Sequence, residues 1–269
     1  MRFNGKETVD YIKPVKTLQK ELLHNYEKYG ITDYRILDDT CNDTEKKLDA
    51  MLEVVKELPF QPKFWAYIRL DLMTKHPHTL TKMYDIGIRG MFFGIETLHL
   101  PSGRLIGKGF KTEKLIEMAQ HVRERYGNEI HTTGSFIVGL PGESVESVLN
   151  TQERVYSGEL PLHDAQFWPL TFDNKKYFYW QSDLSINFEK FGYTQTEDSP
   201  SEERIGWKND KMDWRQAHDI VAKWSARWLE KKQENMLPVW FNNENLGSAS
   251  EIVKDYKQRV CEYLNISFN

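Results

Sequence analysis

Residues 131–144, HTTGSFIVGLPGES, decide the fold. Residues 136–138 form a continuous apolar run, which is typical of a parallel strand covered on both faces. Glycine and proline at 139–142 end that run, and Glu143 and Ser144 then supply helix-starting side chains. The stretch predicts a buried strand, a tight turn that suits a small molecule, and a helix. An ordinary strand-to-helix turn needs the same residues, so the neighbouring segments have to decide.

The composition indicates one large α/β domain, alone or with an appendage. The chain has 269 residues, 39% of them hydrophobic, and a net charge of -4, which gives no signal for nucleic acid or an anionic membrane. The sequence has no apolar run near the ~20 residues that span a bilayer, and residues 1–10 do not have the apolar centre of a secretory signal. Two cysteines, Cys41 and Cys261, are too few for a disulfide framework. We therefore expect a soluble, cytoplasmic protein.

Strand and helix patterns alternate along the first two thirds of the chain. A helix is expected from Pro14 to the stop at Gly30, and Asn42 or Asp43 is expected to cap the next one. This alternation predicts a parallel sheet with right-handed crossovers. Strands are predicted at 34–37, 64–70, 88–95, 131–138 and 165–169, and further helices at 79–86, 112–126 and 144–156.

Polar residues gather where the predicted strands end. Ligands of parallel α/β sheets bind beyond the carboxyl ends of the strands. A carboxylate such as Glu96 can accept from ribose hydroxyls or an ammonium group, and Arg69 can clamp a carboxylate bidentately. The residues at these ends are Asp38, Asp39, Arg69, Asp71, Glu96, Ser135 and the turn at 139–142. Together they predict a site, although the two aspartates can also begin a loop and Arg69 can pair with Asp71.

Other signals are weaker. Residues 102–109, SGRLIGKG, lack the first glycine and the final Ser or Thr of a phosphate loop. His76 and His78 have no further His or Cys at zinc-binding spacing, so a solvated or capping role is favoured. Cys41 lies at the predicted rim and is interpreted as a small buried thiol rather than a reactive one.

The pattern is lost beyond Thr171, and aromatic residues become frequent. Asp213 is expected to cap a helix with an aromatic stripe, and Ser248 precedes a final helix. Both helices are expected to pack against the α/β body. We divide the chain into a core at 1–172 and a C-terminal extension at 173–269. Packing is favoured over a pocket for Trp168, Trp180 and Trp207.

Five segments in order resemble the radical S-adenosylmethionine superfamily, especially the cobalamin-dependent-type branch, often preceded by a cobalamin-binding domain. They are YRILDDTCN, AYIRLDLM, GIRGMFFGIET, LIGKGFKTEKLIEMAQ and GSFIVGLPGES, and they span roughly residues 2–172. The resemblance implies a partial (β/α) TIM-like barrel with about five of the usual six strands, followed by a mainly helical, aromatic-rich extension. It implies S-adenosylmethionine at the carboxyl rim beside a [4Fe-4S] cluster, whose one-electron reduction releases a 5′-deoxyadenosyl radical.

The resemblance also assigns binding roles. It places Asp38 and Asp39 near the methionine moiety, Arg69 near its carboxylate and Glu96 near the ribose. It places residues 137–141 against the adenine, which makes Ile137, Gly139 and Pro141 cofactor-binding candidates, and Ser135 joins them as a polar residue of the same strand. The Lys108-Gly109-Phe110 run matches a family loop without a chemical role that can be derived. No catalytic residue and no metal ligand is assigned.

The chain departs from the family in its cysteines. The family holds its cluster with CxxxCxxC in the loop after the first strand, and the cysteines here are only Cys41 and Cys261. We expect the first strand and the cluster loop to lie upstream, in a separately encoded segment or in a region lost by truncation. The alternatives are a cluster-less, non-catalytic binding module and an unrelated (β/α) barrel enzyme for an anionic metabolite. The substrate and the oligomeric state stay open.

Overall fold

The computed structural model describes residues 13–174 and 182–234. Its centre is a sheet of five parallel strands in the order β1-β2-β3-β4-β5. The strands are β1 (Asp33–Ile36), β2 (Lys63–Ile68), β3 (Ile88–Glu96), β4 (His131–Val138) and β5 (Asp164–Pro169). Because parallel strands that follow one another lie side by side, their carboxyl ends share one rim. The predicted partial barrel of about five strands is confirmed.

Helices connect the strands as the alternation predicts. The helices are α1 (Val15–Tyr29), α2 (Glu45–Lys56), α3 (Leu70–Lys75), α4 (Thr79–Ile86), α5 (Leu100–Leu105), α6 (Thr112–Tyr126), α7 (Val145–Tyr156), α8 (Asp183–Ile186) and α9 (Trp214–Glu234). Gly30 ends α1 with φ 67° and Gly87 ends α4 with φ 104°. Only glycine adopts this left-handed conformation readily, so these ends are readable from sequence.

Three local expectations were wrong. Thr44 caps α2, accepting from the Lys47 amide, because Asn42 and Asp43 are bound elsewhere. The second strand ends at Ile68, so Arg69 precedes α3 and Asp71 lies in the first turn of that helix. The proline and glycines at 101–109 predict a loop after the third strand, but the short helix α5 occupies its first part, where a proline suits the first turn.

The two faces of the sheet differ in exposure. Ala66 pairs with Met91 and Ile68 with Phe93, and these side chains are buried on the face that the helices cover. The other face, here called the concave face, carries half-exposed side chains such as Ile137. The expectation that residues 136–138 are covered on both sides therefore fails at Ile137. The reason is that a partial barrel leaves its interior accessible.

The end of the described chain packs against β5, as the aromatic stripe predicts. Asp213 caps α9 by accepting from the Gln216 amide at 2.8 Å. The Trp224 indole donates to the Ala165 carbonyl at 3.1 Å and lies 4.6 Å from the Phe167 ring. Apolar burial and a satisfied indole donor together attach α9 to the sheet.

Short antiparallel pairs join the region between β5 and α9. Phe172–Asp173 pairs with Arg204–Ile205, and Thr194–Gln195 pairs with Trp207–Lys208. The expectations for Trp180, the helix after Ser248 and Cys261 lie outside the described residues. The division at 172 stays a prediction. Across the two described ranges, no helix has the length and apolarity needed to cross a membrane.

Candidate functional site

The predicted polar residues lie along one rim of the sheet. Asp38 and Asp39 follow β1, Arg69 follows β2, and Glu96 ends β3. The predicted turn at 139–142 follows β4. Ser135 lies lower on the concave face, in register with Gly94 of β3 and Gln166 of β5. The rim and the upper concave face together form the candidate site.

Glu96 stands in a strained turn. Its φ is 68°, and among the described residues it is the only one other than glycine with positive φ. The Thr97 amide donates to the Ile95 carbonyl at 2.9 Å, which closes a three-residue γ-turn around Glu96. The β3–β4 register also shifts between Gly94 and Glu96. Such strain persists where the surrounding structure enforces it, and it concentrates at functional sites.

Lys108 crosses from the loop after α5 to meet this carboxylate. Its Nζ donates to the Gly94 carbonyl at 2.7 Å and lies 2.9 Å from Glu96 Oε1. A Cβ on Gly94 would stand 2.8 Å from Glu96 Oε1 and 3.1 Å from Lys108 Nζ. The pair therefore lies over the bare backbone of Gly94, on the concave side of the rim.

Arg69 pairs with Asp71, the alternative that its sequence position left open. Arg69 Nε lies 3.0 Å from Asp71 Oδ1, and Arg69 Nη2 lies 2.6 Å from Asp71 Oδ2. Burial opposes ionisation of Asp71, but the hydrogen bonds and charge of Arg69, with Lys108 and Lys75, bring its pKa below the ordinary value. Asn42 fixes the position by bonding both Arg69 N, at 2.8 Å, and Arg69 O, at 3.0 Å.

Asp38 and Asp39 take different positions. Asp38 accepts from the Thr40 amide at 2.8 Å and from Lys47 Nζ at 2.9 Å. Burial opposes the charge of Lys47, yet its hydrogen bonds to Asp43 and Asp38 raise its pKa. Asp38 thus organises the loop after β1, whereas Asp39 is exposed at the rim.

Glu143 has a role that the sequence did not reveal. Its Oε2 accepts from the amides of Gly139 and Leu140, each at 3.1 Å, and its Oε1 accepts from the Thr97 hydroxyl at 2.6 Å. The residue is 2% exposed. Burial raises the pKa of this carboxyl to about 7, against the opposing effect of its three hydrogen bonds. One carboxylate thereby joins the turn after β4 to the turn that holds Glu96.

The region after β5 covers the turn at 139–142. Tyr193 donates to the Gly139 carbonyl at 2.6 Å, and the Trp207 indole donates to the Leu170 carbonyl at 2.8 Å. Gly139 has φ 101°, and a Cβ there would stand 2.5 Å from Trp207 Cη2. Pro141 is buried, and its carbonyl accepts from Ser102 at 2.7 Å. The carbonyls of Gly139 and Pro141 are thus bound within the protein, and Trp207 packs, as predicted.

An aromatic and cationic cluster on the concave face was also missed. The Arg35 guanidinium lies 4.4 Å from the Trp65 ring, and Tyr67 contacts Phe92 with ring centroids 5.2 Å apart. Trp65, Tyr67 and Phe92 alternate with buried residues along β2 and β3, and that alternation was the available signal. The cluster lies below Arg69 and extends the concave face toward β1.

The described cysteine is unsuited to metal binding. Cys41 is 2% exposed, and burial raises the pKa of its thiol to about 12. It is the small buried thiol that the sequence favoured. Within the described ranges, no three His, Cys, Asp or Glu side chains are grouped to hold a metal ion. His78 instead lies 2.9 Å from Glu45.

Sequence comparison finds relatives that match part of the chain. No protein-family model matches it. It is 28% identical over 153 residues to an uncharacterised methyltransferase of Pyrococcus horikoshii, covering 57% of this chain and 32% of that protein. It is 27% identical over 161 residues to the tRNA-2-methylthio-N(6)-dimethylallyladenosine synthase of Thermoanaerobacter pseudethanolicus, and this match also covers 57% of this chain and 32% of that protein. The chain thus spans about a third of the length of these relatives.

Solved structures show the same fold. The coproporphyrinogen III oxidase HemN of Escherichia coli, a radical SAM enzyme, superposes with a TM-score of 0.51 and 16% identity, over 81% of this chain and 45% of its own. The radical S-adenosylmethionine methyltransferase TsrM of Kitasatospora setae, solved with cobalamin and a [4Fe-4S] cluster, superposes with a TM-score of 0.50 and 17% identity. The match covers 68% of this chain and 36% of TsrM. Elp3 of Methanocaldococcus infernus superposes with a TM-score of 0.52 and 11% identity, and the match covers 93% of this chain and 60% of the Elp3 chain.

The resemblance drawn from the five sequence segments is therefore confirmed. The chain has the α/β partial-barrel fold of radical S-adenosylmethionine enzymes.

Proposed function

We propose that this chain binds S-adenosylmethionine at the rim of its barrel and forms the larger part of a radical enzyme. The observation that carries the proposal is the strained turn at Glu96, which presents a carboxylate beside Lys108 on the fold that radical S-adenosylmethionine enzymes share. Maintaining a left-handed glutamate costs free energy. A ligand-binding role for the side chain accounts for keeping it.

The rim side chains fit the cofactor to different degrees. Glu96 can accept hydrogen bonds from the ribose hydroxyls, and half-exposed Ile137 and Ser135 can face the adenine from the concave side. Gly139 and Pro141 would contribute shape, since Tyr193 and Ser102 bind their carbonyls. When bound, the cofactor supplies a sulfonium carbon–sulfur bond, and these residues would bind and orient the nucleoside beside it.

Asp39 and Arg69 complete the proposed rim at its β1 side. Asp39 is exposed, so its carboxylate can meet the ammonium group of the methionine moiety. Arg69 keeps Asp71 as a partner through Nε and Nη2, and its remaining N–H donors can serve a carboxylate. Asp38 would act indirectly, by holding the loop through Lys47.

A [4Fe-4S] cluster does not fit the residues that the structure describes. Three of its irons need thiolates, and Cys41 is buried with a pKa raised to about 12. We therefore propose that cluster ligands come from a separate segment, which would add as a strand beside β1. In the described part of the chain, β1 pairs only with β2. A thiolate-bound cluster needs a reducing compartment, so we propose a cytoplasmic location.

A second candidate is a non-catalytic binding module that has lost the cluster. The described residues lack a set of metal ligands, and this observation favours the non-catalytic module as well as the separate segment. This candidate shares cofactor binding with the first and differs only in iron content. The names of the relatives, a methyltransferase and a tRNA methylthio-synthase, belong to proteins of which this chain matches 32%, so the substrate is left open.

Isothermal calorimetry of the full chain with S-adenosylmethionine tests the shared proposal. We expect saturable binding that Glu96→Gln weakens about tenfold to a hundredfold, because a hydrogen bond to a charged group contributes about 1.5–3 kcal/mol. Glu113→Gln, on the exposed first turn of α6, is the matched control and should bind as the parent does. A folded chain that shows no saturable binding at millimolar cofactor would refute the proposal.

Anaerobic reconstitution with iron and sulfide separates the two candidates. The chain alone should show no four-iron absorbance, whereas mixing it with a polypeptide that carries a strand and CxxxCxxC should give four irons per pair. A four-iron spectrum from the chain alone would contradict the separate segment. Cofactor binding with no cluster in any such mixture would favour the non-catalytic module.

A further inference from the structure

One cation lies among three aromatic rings on the concave face, below the rim. The Arg35 guanidinium is 4.4 Å from the centroid of the Trp65 ring and 5.5 Å from that of Tyr67, and its Nη2 donates to the Tyr67 hydroxyl at 2.5 Å. The Phe92 ring lies 5.5 Å from the Trp65 ring. Arg35 is exposed and the three rings are half-buried, so this group, here called the Arg35 patch, is open to the interior of the barrel.

The rings of the Arg35 patch are held by their neighbours. A Cβ on Gly90 would stand 2.3 Å from Trp65 Cδ1, so the indole lies directly on the bare backbone of β3. Tyr67 meets Trp65 edge to face at 4.9 Å and Phe92 at 5.2 Å. Aromatic pairs at these distances attract one another beyond the effect of their burial. A ligand would therefore meet a surface that is already arranged, which lowers the entropy lost on binding.

Arg35 has no carboxylate partner among the residues that the structure describes. Arg69 and Lys108, at the rim, each pair with a carboxylate. Asp33, two residues earlier on β1, accepts instead from the neighbouring threonine hydroxyl at 2.7 Å. A guanidinium has five N–H donors, and the tyrosine hydroxyl of the patch accepts one of them. The remaining donors can bind a carboxylate through two parallel hydrogen bonds.

Resting on the proposed function, we propose that the Arg35 patch binds the substrate of this barrel and that the substrate is an aromatic carboxylate. The carboxylate would take paired donors of Arg35, and the aromatic body would pack on Tyr67 and Phe92. Tyr67 precedes Arg69 by two residues, which is about 7 Å along a strand. The substrate would thus lie below the proposed cofactor site, within the same interior.

A carboxylate from the strand proposed beside β1 is the alternative partner of Arg35. The direction of the side chain favours the small molecule, because its contacts are with Trp65 and Tyr67 of β2 and so lead away from the far margin of β1. An ion pair at that margin would also have no use for three half-exposed rings.

Three probes test the Arg35 patch in the full chain by isothermal calorimetry without cofactor. 1-Naphthaleneacetate has an aromatic body and a carboxylate, 1-naphthaleneacetamide lacks the charge, and cyclohexylacetate lacks the aromatic ring. We expect the parent to bind 1-naphthaleneacetate about tenfold or more tightly than either of the other probes. Arg35→Gln should lower the affinity for 1-naphthaleneacetate by about tenfold or more and change 1-naphthaleneacetamide binding much less.

Two further variants serve as controls. Arg125→Gln removes another exposed arginine that lies over a tyrosine ring, 5.4 Å from Tyr126 on α6, and should keep the parental preference. Phe92→Leu should weaken both naphthalene probes by about threefold to tenfold and keep the preference for the carboxylate. Thermal unfolding of each variant establishes that folded chains are being compared.

The outcomes are distinct. A parent that binds neither naphthalene probe at millimolar concentration, or that binds cyclohexylacetate as tightly as 1-naphthaleneacetate, would overturn the inference. A preference for the carboxylate that survives in folded Arg35→Gln would overturn it as well. Loss of 1-naphthaleneacetate binding on addition of the polypeptide that carries the strand and CxxxCxxC would assign Arg35 to that partner instead. Failure to bind S-adenosylmethionine would refute the proposed function separately, because the probes are measured without it.

Discussion

Replacing Glu143 by glutamine should change how stability depends on pH. Burial raises the pKa of this carboxyl from its ordinary 4.5 to about 7, even though Thr97 and the amides of Gly139 and Leu140 donate to it. The unfolded chain therefore releases this proton at a lower pH than the folded protein. The free energy of unfolding should fall as pH rises from about 4.5 to about 7, and this contribution should then level off.

The expected magnitude follows from the two pKa values. Each pH unit between the folded and unfolded values is worth about 1.4 kcal/mol, so Glu143 accounts for about 3 kcal/mol over this range. Glutamine keeps an oxygen for the amides of Gly139 and Leu140, and its N–H can donate to Thr97, but it does not titrate. Glu143→Gln should therefore gain about 3 kcal/mol relative to the parent between pH 5 and pH 8.

Urea unfolding followed by circular dichroism at pH 5, 6, 7 and 8 measures this difference. Subtracting the variant from the parent removes the contribution of every other titrating group. Glu146→Gln, on the exposed first turn of α7, controls for the loss of a carboxylate close to Glu143 in the sequence. A difference between parent and Glu143→Gln that stays constant from pH 5 to pH 8 would show that the buried carboxyl does not titrate as the structure indicates.

Two further substitutions test how the rim is supported. Gly139→Ala should lower the free energy of unfolding by about 2–4 kcal/mol, because the φ of Gly139 is 101° and the new Cβ would meet Trp207. Gly30→Ala measures the backbone cost alone, because Gly30 also has a positive φ but has open space around it. A loss no larger than that of Gly30→Ala in urea unfolding would contradict the close contact. Asn42→Ala should cost about 1–3 kcal/mol by leaving Arg69 N without its acceptor, while the Arg69 carbonyl keeps the Met73 amide as a donor, whereas exposed Asn150→Ala should change little. Equal unfolding free energies for these two variants would contradict the bridging role.

The fold was largely readable because its signals are local. Gly30 and Gly87 end helices where left-handed backbone is needed, and Ser144 begins α7 with a capping box. Parallel strand order then places Arg69 and Glu96 at one rim without knowledge of any contact. Element type and rim position therefore followed from short-range patterns.

The chemistry of the rim was not readable in the same way. Glu143 meets Thr97 across 46 positions and Tyr193 meets Gly139 across 54, and no short-range pattern encodes either contact. The sequence positions of Arg69 and Asp71 showed that the two side chains could pair. They did not show that the pair forms, because the direction of each side chain depends on where β2 ends. The role of Glu143 could not be predicted, because it depends on the ends of β3 and β4 and the turn before α7 meeting in space.

The attachment of α9 gives the sheet two unlike margins. The Trp224 indole occupies a backbone acceptor of β5, and the Trp228 indole binds the Asp164 carboxylate at 3.0 Å, so a helix seals that margin. On the opposite margin, the described residues leave β1 with a single neighbour. A supplementary strand can therefore join the sheet beside β1, whereas α9 covers the β5 margin and protects the molecule from misassembly there.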